Sequence, residues 1–249
     1  LLATLAFTCS AQAFEMVLTA PEAHEKRLKA ASLLFAAKEE GMTEPQDIVA
    51  TAQAEYRRIL GVLYSDGHFG PEIRVLIDGR EAATLPPFEN IKQIKTVELR
   101  VNPGPQFRFK KADLGPLAPE TSNPEEFATG QPAKTNAITQ AASSGVSGWR
   151  DLGHAKAQVS DQSILANHKD ATLDVDVDLN PGPKLQFGNL QISGDSTVSE
   201  DRLVDIIALP TGDTFSPHEL DKIGKRLRRT GVFRSVSITE VDDVGPDDT

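Results

Sequence analysis

The sequence predicts an α+β protein made as a tandem array of three β-α-α-β-β modules, the last stopping before its final strand. Three observations carry this. Val97-Glu98-Leu99-Arg100-Val101-Asn102-Pro103-Gly104-Pro105 is answered, 78 residues on, by Val175-Asp176-Val177-Asp178-Leu179-Asn180-Pro181-Gly182-Pro183. In both copies apolar and polar residues alternate, as in a strand with one buried face, and the prolines end the run. Three glycine corners, Asp66-Gly67-His68-Phe69, Leu152-Gly153-His154-Ala155 and Thr230-Gly231-Val232-Phe233, each follow a helical pattern and precede an alternating one. Glycine just past a helix supplies the left-handed turn into the next strand.

The elements follow in order. Phe14 to Thr19 reads as a strand and Glu22 to Glu40 as one helix, with Leu28, Ala31, Leu34 and Phe35 on one face and Gly41 as its stop. Thr43 and Gln46 have capping-box spacing before a second helix carrying Ile48, Ala52, Tyr56, Ile59, Leu60 and Leu63 up to Gly67. Ile73, Val75 and Ile77 form a strand into the Asp78-Gly79 turn, and Ile94 to Val101 form the last strand of this module. Phe107 and Phe109, like Leu185 and Phe187, open the module that follows each Asn-Pro-Gly-Pro stop. In the second module Leu114 to Asn136 offers little for a first helix, so Ala137 to Trp149 is its main helix. The third repeats the order with a strand over Leu185 to Ile192, an N-cap at Ser199, helical faces at Leu203, Ile206, Ile207 and Leu220, Ile223, Leu227, and a strand from Val232.

Residues 1–13 are apolar and uncharged and end in Ala11-Gln12-Ala13, the pattern of a signal-peptide remnant cut before Phe14. The modules are then 14–103, 104–182 and 183–249. The corner glycines Gly67 and Gly153 precede the Pro-Gly stops at Gly104 and Gly182 by 37 and 29 residues, whereas 18 follow Gly231, so the third module is expected to lack its closing strand. The only cysteine, Cys9, lies in the leader. A net charge of −10 disfavours nucleic acid and anionic lipid as partners.

The module is similar to the POTRA domain, the repeated periplasmic unit of Omp85-family outer-membrane assembly factors. Leu190-x-Ile192-x-Gly194, the apolar positions after Ser199, and Thr230-Gly231-Val232-Phe233-x-x-Val236 carry the resemblance, with Val232 where an aromatic is common. The likeness spans the chain after residue 13, strongest in the third module and weakest in the second. Within the family, three units and a long Ala-rich first helix fit its three-unit branch; a two-partner secretion transporter is the alternative. The resemblance implies a non-enzymatic periplasmic scaffold, a C-terminal β-barrel outside this chain, unfolded outer-membrane (autotransporter) clients and a TamB-like inner-membrane-anchored partner. It also places the second strand of each module at a sheet edge: His68 to Ile77, Ala155 to Asp161 and Val232 to Thr239. Clients would add there by backbone pairing. Pro71 hinders the first, so the later modules are the better candidates for pairing; Phe233, Arg234, Ser235, Val236 and Ser237 of the third are named as partner-binding residues, with Gly67, Gly153, Gly231 and Gly194 structural.

No cofactor or metal is expected. His24, His68, His154, His168 and His218 have no ligand spacing, and Asp174-x-Asp176-x-Asp178 lacks the glycine and closing Glu of a calcium loop. Gly145-Val146-Ser147-Gly148 is followed by Trp149 where a nucleophile elbow needs Gly, and Gly194-Asp195-Ser196 reads as a turn. No hydrolase constellation is assembled. Lys222, Lys225, Arg226, Arg228 and Arg229 read as a solvated helix face, with an acidic partner as the other reading.

Overall fold

A computed structural model describes residues 14–86, 91–193, 198–233 and 235–240. The chain forms two units. One holds the described residues through Arg108 with Pro132–Asn136 and Ala166–Thr172; the other holds Phe109–Gln131, Ala137–Leu165 and the described residues from Leu173 on.

The first unit is organised by the alternation at Val97, Leu99 and Val101. These side chains are buried, while Glu98 and Arg100 on the other face pair at 2.7 Å. Their strand, β4 (Thr96–Asn102), lies in the middle of the sheet. It runs parallel to β1 (Glu15–Thr19) and antiparallel to β2 (Glu72–Ile77), and β3 (Arg80–Glu81) adds outside β2, giving the order β1-β4-β2-β3. The Asp78-Gly79 turn between β2 and β3 has positive φ at both residues (47° and 81°), the hairpin geometry that Asp-Gly favours. Helices α1 (Glu22–Ala31), α2 (Leu33–Glu39) and α3 (Pro45–Ser65) bury Leu28, Leu34, Ile48, Ala52, Ile59 and Leu63 in one core with Val97 and Leu99. Each such leucine or isoleucine contributes about 1.5–3 kcal/mol by leaving water.

Two local expectations are corrected here. The single helix from Glu22 to Glu40 is broken at Ser32, which is extended (φ −70°, ψ 130°) and accepts from Phe35 N at 3.2 Å. The break is held from 22 residues away: buried Glu55 accepts from Leu33 N at 2.8 Å, an interaction that local periodicity cannot register. The Thr43/Gln46 capping box does not form. Glu44 is the N-cap of α3, with no side-chain cap, and Pro45 begins the helix, where its missing N–H is harmless.

In the second unit the sheet is β5-β7-β6, from β5 (Arg108–Gly115), β6 (Gln158–Asn167) and β7 (Thr172–Asn180). Leu173, Val175, Val177 and Leu179 of β7 are buried, and α4 (Thr135–Asp151) adds Ala137, Ile138 and Ala141. No helix forms between Gly115 and Thr135; that stretch buries Ala118, Phe127 and Ala133 through turns, and Phe127 meets Phe109 edge-on at 5.2 Å. This module is therefore β-α-β-β.

Farther along, Leu203 and Ile207 of α5 (Glu200–Ile207) pack with Ile223 and Leu227 of α6 (Pro217–Arg229). The expected strands over Leu185 to Ile192 and Val232 to Thr239 are not strands here. Only the isolated bridge Gln186↔Thr214 forms, and the described residues of 232–240 are unpaired by any strand. A strand needs a ladder partner. β1 and β5 obtain theirs from β4 and β7, which have no equivalent among the described residues of this part.

The basic helix face is also more engaged than expected. Lys222 pairs with Glu219 at 2.7 Å, Lys225 pairs with Asp221, and Arg226 donates to the Ile207 carbonyl at the end of α5. Arg226 thereby satisfies a carbonyl at the C-terminus of α5, where the helix's own N–H groups run out.

Candidate protein-binding edge

A sheet edge can receive another chain only where its outward N–H and C=O groups are free. The outer side of β2 in the first unit, expected from the sequence as an edge, is largely closed from within. Leu76 and Ile77 pair with β3. The outward N–H of Val75 donates to Glu81 Oε1 at 3.1 Å and contacts Tyr56 Oη at 3.3 Å, while Arg74 Nε donates to Glu81 Oε2 at 3.0 Å. Tyr56 also donates to Glu81. Burial and that bond push the Tyr56 hydroxyl up to about 12. Burial alone would raise the Glu81 carboxyl, yet the bonds from Tyr56, Arg74 and Val75 outweigh it and hold the group below the usual carboxylate range.

β6 is the contrasting case. It is outermost in its sheet, and every residue from Gln158 to Leu165 is exposed. Val159, Ile164 and Leu165 are 37%, 48% and 67% exposed, large apolar groups left partly open to solvent. Its inner side is tied to β7, with Ser160 Oγ donating to Asp178 O at 3.1 Å. The sequence places an edge over Ala155 to Asp161; the strand begins at Gln158 and continues past that window.

Of the candidate residues, Phe233, Ser235, Val236 and Ser237 lie outside any strand, and Arg234 and Gly194 lie outside the described residues. Phe233 and Val236 pack against the α5–α6 cluster. Gly67, Gly153 and Gly231 take positive φ (87°, 99° and 67°), as their place after a helix requires. At Gly153 a Cβ would stand 2.5 Å from Thr214 Cγ2, so space as well as conformation demands glycine there.

The structure adds a partner to each of the first two corners. His68 Nδ1 lies 3.0 Å from the Gly104 carbonyl, Phe107 N donates to Gly67 O at 2.8 Å, and Asn102 Oδ1 accepts from Gly104 N at 3.2 Å. The same three bonds recur as His154 with Gly182, Leu185 with Gly153 and Asn180 with Gly182, at 2.8, 2.9 and 3.0 Å. Sequence reasoning singled out the glycines and missed the imidazoles, although Gly-His and Asn-Pro-Gly-Pro occur together in both copies. The third corner has Val232 in place of histidine.

The other chemical motifs settle into structural places. Gly145 and Gly148 lie inside α4, where a Cβ would strike Leu179 and Thr121, and Ser147 is a helical residue between them. Asp176 pairs with Lys111. His24 meets His68 edge-on at 5.1 Å. Among the described residues no group of three or more His, Cys, Asp or Glu is placed to hold a metal, and no helix is long and apolar enough to cross a membrane.

The mixed α+β fold, with its two sheets and six helices, matches that of POTRA repeats. Residues 185–249 match the POTRA family, described as surface antigen variable number repeat. The solved POTRA3-5 of BamA from Haemophilus influenzae is similar with a TM-score of 0.58 and 15% identity, over 90% of this chain and 87% of that one. POTRA1-3 of the periplasmic domain of Omp85 from Anabaena aligns at 14% identity and TM-score 0.37, covering 90% and 86%. The N-terminal domain of Omp85 from Thermosynechococcus elongatus aligns at 14% and 0.38, covering 90% and 88%. No curated protein matches by sequence.

Proposed function

We propose that this chain is the periplasmic arm of an Omp85-type outer-membrane protein assembly or transport factor, of the TamA kind, and that it works by binding rather than by catalysis. The observation that carries this reading is the open edge of β6. Backbone pairing along Gln158–Leu165 asks little of side-chain identity, which suits a receptor for many unfolded clients. Exposed Val159, Ile164 and Leu165 give apolar side chains of an incoming strand somewhere to pack. The TamA assignment is supported by the module count read from the sequence, and with it go autotransporter clients and a TamB-like inner-membrane-anchored partner. Phe233–Ser237 is kept as a second candidate binding segment on the ground that its glycine corner repeats the earlier two, and pairing there would require it to take up a strand that its described residues do not form.

The test is a pair of proline variants, Gln162→Pro and Ser163→Pro. Successive N–H groups of an edge strand point alternately inward and outward. One variant should lose the β6–β7 ladder and fall in Tm; the other should keep its Tm and lose binding of a synthetic β-strand peptide from an unfolded outer-membrane protein. Retention of full peptide binding by the well-folded variant would remove β6 as the site.

A further inference from the structure

A second surface lies on the helical side of the first unit. An open cleft of about 570 Å³ runs along the outward face of α3, lined by Leu33, Ala54, Arg57, Arg58, Gly61 and Val62. Its floor is apolar and its rim is cationic. Leu33, the first residue of α2 after the Ser32 break, is 38% exposed at the lip and is held there by the Glu55 carboxylate on its N–H. Arg58 is fixed by Nε donating to Ala31 O at 2.8 Å, whereas Arg57 has no carboxylate partner among the described residues.

Gly61 has no evident role in the fold. A Cβ there would meet nothing within 4 Å, so neither packing nor a tight turn requires glycine. A glycine inside a helix costs about 1 kcal/mol relative to alanine. What it leaves is a furrow, with Ala54 two turns before it, about 10 Å along the axis. Small residues at that spacing let a second helix approach at the 8–10 Å separation of packed helices.

From this furrow, the exposed Leu33 and the unpaired Arg57, we infer that the α2–α3 cleft docks an acidic amphipathic helix from a partner protein, its apolar stripe on Leu33, Gly61 and Val62 and its carboxylates on Arg57 and Arg58. The shape of the site favours a helix over a lipid surface, because its apolar part is a furrow along one helix at Ala54, Gly61 and Val62 with Arg57 and Arg58 beside it, a match for an apolar stripe flanked by carboxylates. The residues lining this cleft are distinct from those of β6.

The experiment selects displayed 16-residue peptides on the full chain and on three variants, Gly61→Leu, Arg57→Glu and Gly61→Ala. Peptides selected by the parent chain should carry apolar residues at helical spacing with an excess of Asp and Glu. Their affinity should fall about tenfold or more for Gly61→Leu and Arg57→Glu at unchanged circular dichroism, the scale of losing one buried contact or charge pair. Gly61→Ala should raise Tm, showing that the glycine does not serve the fold. Selected peptides that are basic or lack an apolar period, or that bind parent, Gly61→Leu and Arg57→Glu alike, overturn the inference. So does binding of the parent chain to vesicles of anionic phospholipid that Arg57→Glu abolishes, because the cleft would then be a lipid site.

Discussion

His154 Nδ1 sits 2.8 Å from the carbonyl oxygen of Gly182, so one imidazole ties the end of a helix-to-strand corner to the Pro-Gly turn 28 residues later. The bond holds the Gly182 turn in place, and Leu185 N can then reach Gly153 O. His154→Phe keeps a ring against Trp149, which now meets the imidazole edge-on, but removes the donor. A loss of about 1–2 kcal/mol is expected. Denaturant unfolding measures it, and hydrogen exchange should quicken at Leu185 before it does at Val175.

The closed edge of β2 gives a second expectation. Tyr56→Phe takes the hydroxyl from Glu81, Val75 and Ala83 at once, at a cost of about 1–2 kcal/mol. Because the folded-state tyrosine is pushed up to about 12, its contribution is complete below its ordinary value near 10 and disappears as pH rises through 12. Alkaline denaturation followed by tyrosinate absorbance should show the two proteins converging in stability at the top of that range.

Glu55 predicts the acid side. Burial is the largest influence on its carboxyl and raises it, against opposing bonds from Ser32, Leu33 and Leu34, and one oxygen, Oε1, is buried with no partner among the described residues. Between the ordinary carboxylate value and the raised one, the native state therefore keeps a proton that the unfolded chain has already released. Stability falls as pH rises from the ordinary carboxylate range through the raised value, and levels off above it. Glu55→Gln keeps an oxygen for Leu33 N and removes the charge, so this part of the pH dependence should vanish. An identical slope in both proteins would show that Glu55 is not the titrating group.

Arg150 supplies the last expectation. Its guanidinium donates to Ala155 O, pairs with Glu240 and lies 5.1 Å over the Phe215 ring. Arg150→Lys keeps the charge but loses the planar fork and the stacking. Limited proteolysis between Val236 and Glu240 should speed up several-fold, while α4, whose buried face is Ala137, Ile138 and Ala141, stays protected.

What was legible in the sequence was whatever period and punctuation record. β4 and β7 were read from strict alternation ended by Asn-Pro-Gly-Pro, and the corners from glycine after a helical run. Interactions over long sequence distance were not legible. The Ser32 break depends on Glu55, and the closure of β2 depends on Tyr56 and Glu81, none of which alters a local pattern. The strands expected over Leu185–Ile192 and Val232–Thr239 have the right alternation, but alternation describes a surface that fits a sheet and does not supply the neighbouring strand. β6 shows the converse. Gln158–Leu165 holds only Val159, Ile164 and Leu165 as large apolar residues, a weak strand pattern, and it is a strand because β7 is beside it.

β6 also sets a limit on how this chain behaves in concentrated solution. Natural sheets guard their outer strands with lysine, proline or a bulge. The stretch Gln158–Leu165 contains neither residue, and Asp161 is its sole charge. Two molecules meeting along this stretch would form a continuous sheet across a two-fold axis, shielded from one another only by the net charge of −10. Raising ionic strength screens that repulsion within a Debye length of about 8 Å at physiological salt. Salt therefore favours pairing of two copies, and a client strand competes with the protein's own twin for the same row of amides.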